Sequence, residues 1–315
     1  MAEDASLEAA ANQPQLEAVD TVSLATEASN PASRNLDQLS ASQIVELMND
    51  EDGKVAGAVR KTLPRIAQAV EVITARMQKG GRLVYMGAGT SGRLGVLDAA
   101  ECPPTFNTSP DQVLGLIAGG PNAMVNAAEA AEDDPALGRQ DAAAIGLTEN
   151  DIVVGLAASG RTPYVIGALQ YAREVGAAAI AVTCNSPSAL EEVAEITIAP
   201  VTGPEVLAGS TRLKAGTAQK MVLNMLSTAT MVRLGKTYGN LMVDMRPTNA
   251  KLRRRAARIV AEATGQDEMA AMEALEASGG ETRTAIVALL AGVTPEAARE
   301  RLRQANGFVR KALEG

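Results

Sequence analysis

Histidine is absent from the 315-residue sequence, and so is tryptophan. The missing histidine excludes Ser-His-Asp and Cys-His nucleophile activation, H-E-x-x-H zinc sites and facial-triad iron. Acid–base work then falls to Asp, Glu, Lys, Tyr or Cys. Aromatic residues are 2% of the chain, so the core has to be built from Val, Leu, Ile, Ala and Met. Two cysteines, Cys102 and Cys184, are too few for a disulfide scaffold, which points to a reducing cytoplasm. No apolar run reaches the roughly 18 residues that a spanning helix needs. No basic segment leads into an apolar one at the N-terminus, so no secretory signal is expected. The net charge of −8 argues against a nucleic-acid or membrane partner. No carboxylate loop resembles a metal cage, and no cofactor or metal is expected.

What is present is a soluble, globular composition, 46% hydrophobic and 21% charged, long enough for one large domain and a small one. The most informative stretch is residues 82–104, RLVYMGAGTSGRLGVLDAAECPP. A short apolar run meets Gly87, Gly89, Thr90, Ser91 and Gly92, then a helix-like run from Arg93 that breaks at Pro103. In a strand–turn–helix unit the free N–H groups and the helix dipole favour an anion above the strand tip. Gly87, Gly89 and Gly92 also spell G-x-G-x-x-G, the dinucleotide fingerprint. That reading wants an acidic residue about 20 positions on, but the second apolar run, 113–117, leads into Ala118-Gly119-Gly120. Two hydroxyls in the loop suit a phosphate monoester better than NAD.

Along the chain, residues 1–25 read as a disordered acidic tail. A short helix started by Ser40 or Ser42 follows, then a longer one over 53–79 that Pro64 would kink. Candidate strands at 82–86, 113–117, 152–156, 178–183 and 196–199 alternate with candidate helices at 93–100, 124–131, 163–175, 189–193 and 215–233. This predicts a parallel five-stranded sheet with helices on both faces, an α/β fold. The basic run from Lys251 to Arg258 reads as a solvated helix face. Beyond Gly265 three short helical runs are expected, the last started by Thr294 and Pro295, forming a small all-α module. The expected division is a tail at 1–25, an α/β domain with a helical arm at 26–255, and a helical module at 256–315.

A second glycine loop repeats the first. Ser159-Gly160-Arg161-Thr162 follows the strand at 152–156, with Pro163 placed to open a helix capped by Thr162. Serines in such loops can be mere helix caps, but two hydroxyl-rich glycine loops on one sheet edge favour a phosphate site. The candidate phosphate contacts are Gly89, Thr90, Ser91, Gly92, Ser159, Gly160, Arg161 and Thr162.

These loops resemble those of sugar isomerase-type phosphosugar-binding domains. GAGTSGRLGVLDAAECPPT from Gly87, LIAGG from Leu116, AASGRTPYV from Ala157, GSTRLKAGTAQK from Gly209 and GNLMVDM from Gly239 resemble, more closely, the N-acetylmuramic acid 6-phosphate etherase family. So does TEASNPAS from Thr26. The resemblance spans about residues 26–252. It implies cleavage of the D-lactyl ether at C3 of a 6-phosphorylated amino sugar, by elimination and then water addition, in peptidoglycan recycling. It also implies a homodimer, with the site open to sharing between chains. The family's acid maps onto Glu101 in AAECPP, which would have to start uncharged, as partial burial favours; its plainer reading is an exposed acid near a helix end. A second family acid maps onto Glu132 in AAED, whose plainer reading is a solvated acidic face. Lys214 or Lys220 in GSTRLKAGTAQK is a further candidate contact, and both cysteines read as passive apolar residues. The rival readings are an aldose–ketose phosphosugar isomerase and a non-catalytic phosphosugar sensor.

Overall fold

The computed structural model describes residues 24–245 and 249–314. Residues 1–23 of the expected tail lie outside them, and Leu24 and Thr26 are already buried. The helical arm is α1 (Ala41–Asp52), α2 (Val55–Arg60) and α3 (Leu63–Met77). Ser40 caps α1 through a reciprocal capping box with Gln43. The single helix expected over 53–79 is two helices. Pro64 lies in the first turn of α3, where its missing N–H costs nothing, so it starts a helix instead of kinking one.

The strand–helix alternation follows: β1 (Leu83–Gly87), α4 (Gly89–Phe106), β2 (Val113–Ile117), α5 (Glu129–Glu132), α6 (Pro135–Ala144), β3 (Ile152–Leu156), α7 (Pro163–Glu174), β4 (Ala178–Val182), α8 (Ala189–Val193), β5 (Ile196–Ile198) and α9 (Lys214–Arg233). The five strands are parallel in the order β2-β1-β3-β4-β5. Alternate strand residues feed two cores. Leu83, Tyr85, Ile152, Val154 and Ile180 face α3, α4 and α9; Val84, Met86, Val153, Ala179 and Ala181 face α6 and α7.

Three local readings change. α4 starts four residues earlier than expected, because the glycine loop is itself its first turn, and it runs through Pro103 and Pro104 to Phe106. Proline fixes a φ compatible with a helix, so two prolines near its end remove N–H groups without forcing a break. The helix expected over 124–131 is a 3-10 turn (Pro121–Met124) followed by the single turn α5. The carbonyls of Ala123, Met124 and Asn126 accept from the Arg93 guanidinium and are lost to a helical ladder. α6, absent from the expected set, is capped by Asp134 and opened by Pro135.

A short hairpin, β6 (Thr237–Tyr238) and β7 (Leu241–Met242), leads into α10 (Ala250–Thr264), α11 (Glu268–Ala277), α12 (Thr282–Ala291), α13 (Pro295–Gln304) and α14 (Val309–Glu314). Four helices follow Gly265 instead of three; the turn at Asn306-Gly307 makes room for the last. Thr294 caps α13 as expected. These helices enclose a third core that begins at Val243 and ends at Ala312.

Candidate functional site

In a sheet of this order the chain reverses direction between β1 and β3, and a crevice opens beyond their carboxyl ends. Both glycine loops stand there. Gly92 packs so tightly on β1 that a Cβ would lie 2.6 Å from the Gly87 carbonyl oxygen. Gly160 has φ +75, and a Cβ there would come within 2.5 Å of Thr183 Oγ1. The residues at these loops are therefore fixed by close backbone approach.

The side chains of the loops have identifiable partners. Gly89 is exposed and Thr90 half-buried, whereas Ser91 is buried and donates to Gln219 Oε1 at 2.8 Å. Gln219 Nε2 is buried without an acceptor among the described residues. Ser159 Oγ accepts from the Arg161 N–H at 3.3 Å, which closes the second loop. Thr162 holds the N-cap position of α7, but its hydroxyl does not cap; it donates to Glu132 Oε1 at 3.0 Å. Glu132 is thus brought to the second loop from α5 and is half-buried there, not fully solvated. The segment TEASNPAS joins the same edge: Asn185, after β4, donates to Thr26 Oγ1 and to the Ala158 carbonyl.

Of the two lysines, Lys214 is buried and ion-paired with Glu51 of α1 at 2.5 Å. Glu205 accepts from the N–H groups of Lys214 and Ala215, capping α9. Burial pushes the Glu205 carboxyl above the usual range, partly offset by these N–H groups and by Lys214. Lys214 thus serves packing, and Lys220 is exposed. Gln219 went unnoticed in the sequence. The small residues beside it, Ala215, Gly216 and Ala218, were the available signal of a close approach to α4.

Glu101 is not beside the loops of its own chain. It lies ten residues after Ser91 on α4, a separation of about 15 Å along the helix axis, more than one sugar phosphate spans. There it is exposed, and it lines a cavity of about 410 Å³ with Thr108, Met242, Met245, Leu252 and Arg255. Between the two ends, α4 is tied down by Asp98, which accepts from Tyr85 Oη at 2.9 Å and Ser227 Oγ at 3.1 Å. Burial raises the Asp98 carboxyl above its ordinary value despite these donors.

Comparison with known proteins places the chain among relatives. A profile of the glucokinase regulatory protein N-terminal SIS domain matches residues 65–173, and one of the SIS domain matches residues 123–229. A phosphoheptose isomerase structure from Francisella tularensis is 18% identical, covering 61% of this chain and 98% of its own at TM-score 0.46. The N-acetylmuramic acid 6-phosphate etherase of Pectobacterium atrosepticum is 59% identical over 93% of this chain and 96% of its own length. That of Streptomyces coelicolor is 58% identical over 92% and 93%, and that of Mycolicibacterium smegmatis 55% over 94% and 99%. With an α/β phosphosugar fold, two hydroxyl-lined glycine turns in the β1/β3 crevice and near full-length identity of this order, the chain belongs to the N-acetylmuramic acid 6-phosphate etherase family.

Proposed function

We propose that the protein cleaves the D-lactyl ether of N-acetylmuramic acid 6-phosphate, giving N-acetylglucosamine 6-phosphate and D-lactate in peptidoglycan recycling and amino sugar catabolism. The observation that carries this reading is the meeting of both glycine loops and Glu132 at one crevice, in a chain of the etherase family. The 6-phosphate binds to Gly89, Thr90, Ser91, Gly92, Ser159, Gly160, Arg161 and Thr162. In the open-chain sugar the C2 proton is acidic because it lies α to the aldehyde, and Glu132 is the candidate base. The C3–O bond breaks as Glu101 gives its proton to the lactyl oxygen. Glu101 then takes a proton from the water that adds at C3 of the unsaturated aldehyde.

Glu101 stands about 15 Å from the loops of its own chain and is exposed. We therefore propose a homodimer in which Glu101 of one protomer completes the phosphate site of the other, gaining the burial its role needs. The working division is a catalytic body at 26–255 and a helical module at 256–315; α10 crosses their boundary. Among the described residues no helix is long and apolar enough to cross a membrane. We assign the protein to the cytoplasm, a reading supported by free, buried thiols and a phosphorylated substrate.

The test is D-lactate release from N-acetylmuramic acid 6-phosphate. The protein is expected to release it. Glu101→Ala is expected to lose roughly 10²-fold or more in kcat while still binding phosphosugar. An isomerase or a sensor would release none, and that result would reject the etherase reading.

A further inference from the structure

We propose that the cavity around Glu101 is a carboxylate subsite in which Arg255 and Thr108 hold the carboxylate of the lactyl group. This rests on the etherase reading above and extends it from the phosphate end of the substrate to the leaving group. In a lactyl ether, one carbon carries the ether oxygen, a methyl group and the carboxylate. Wherever Glu101 reaches the ether oxygen, an anion and a methyl therefore lie two bonds away. The cavity offers a counterpart to each. Among the described residues that line it, Arg255, from the first turns of α10, is the one cationic residue. No ion pair engages Arg255 among the described residues, although arginines of the helical module do have such partners. Its guanidinium is free to meet a carboxylate with two parallel hydrogen bonds.

A second, independent observation points the same way. Thr108 is 3% exposed and lines the same cavity, and its hydroxyl has no hydrogen-bond partner among the described residues. A buried hydroxyl without a partner costs free energy that a ligand oxygen recovers. Met242, Met245 and Leu252 supply an apolar wall for the methyl group. Oxygen at Glu101, carboxylate at Arg255 and methyl against this wall make three distinct contacts to one stereocentre. That is the minimum needed to select one lactyl configuration. Arg255 makes and breaks no bond. It determines specificity, and it comes from α10, the helix that joins the body to the helical module.

The experiment uses the full-length protein as wild type, Arg255→Ala, Arg255→Lys and Thr108→Val. KM and kcat are measured for N-acetylmuramic acid 6-phosphate. In parallel, binding of N-acetylglucosamine 6-phosphate, which lacks the lactyl group, is measured as competitive inhibition. Arg255→Ala should raise KM at least about tenfold and leave affinity for N-acetylglucosamine 6-phosphate unchanged. Arg255→Lys should recover part of the loss, and Thr108→Val should show a smaller rise confined to the lactyl substrate. An unchanged KM, or equal weakening of both ligands, overturns the subsite while wild-type lactate release keeps the etherase reading intact. Absence of release by the wild type overturns both.

Discussion

Gly160 shows how narrowly single residues define this site. Its positive φ already disfavours a side chain, and the space a Cβ would need is taken by Thr183 Oγ1 and Ser188 Cβ, each 2.5 Å away. Gly160→Ala should cost about 1–3 kcal/mol and displace Ser159 and Thr162 together. Thermal unfolding and phosphosugar affinity should both fall; a variant with normal affinity would mean that the loop does not hold phosphate. The cysteines are the opposite case. Burial pushes the Cys102 thiol up to about 12, helped by the charges of Asp98 and Glu101. Burial with Glu205 nearby does the same for Cys184, also to about 12. Both stay protonated near neutral pH, in keeping with the passive role their sequence context suggests.

At the scale of elements, α4 is the central piece. Its N-terminal turn carries the first glycine loop and its C-terminal end carries Glu101. Its register on α9 is fixed near its start by Ser91 with Gln219 and at mid-helix by Asp98 with Ser227. The amino edge of the sheet is fixed separately by Asp151, which accepts from the Arg82 backbone and guanidinium and from the Thr148 N–H. Burial alone would raise the Asp151 carboxyl, but the Arg82 guanidinium and the N–H groups outweigh it and hold it below the usual range. A depressed folded value means that its contribution is present above an unfolded value of about 4 and is lost as pH falls through the folded one. Asp151→Asn should therefore lower Tm by several degrees at pH 7 and flatten the loss of stability below about pH 4. Equal sensitivity to acid in variant and wild type would remove Asp151 from that role.

For the whole molecule, the decisive fact is the separation between the loops and Glu101 along one helix. A shared site predicts a dimer by light scattering and complementation between inactive variants. Glu101→Ala and Ser159→Ala, each impaired alone, should on subunit exchange form hybrids with one site that carries both changes and one that carries neither. Random mixing then restores about a quarter of wild-type activity. Mixtures no better than their components would place all site residues on one chain. The helical module is held to the body by Asp244, which pairs with Lys236 at 2.7 Å and Arg283 at 2.8 Å, and this tie keeps Met245 and Arg255 beside Glu101.

Much of the fold was legible because its signals are local. The apolar runs at 113–117 and 152–156 are strands with the expected bounds, and Pro163 and Pro295 open helices where proline favours a helix start. The two glycine loops, with the residue types of a phosphate cradle, could be read in the same way. The sequence alone therefore determined a parallel α/β sheet, the glycine loops on its edge and the family. Tertiary structure decided what depends on distant partners. Arg93 draws the carbonyls of 123–126 away from a helix, Glu51 takes Lys214 out of solvent, and α10 brings Arg255 to the cavity of Glu101. No sequence spacing encodes these meetings, because each joins residues far apart along the chain that only the packing of helices onto the sheet brings together.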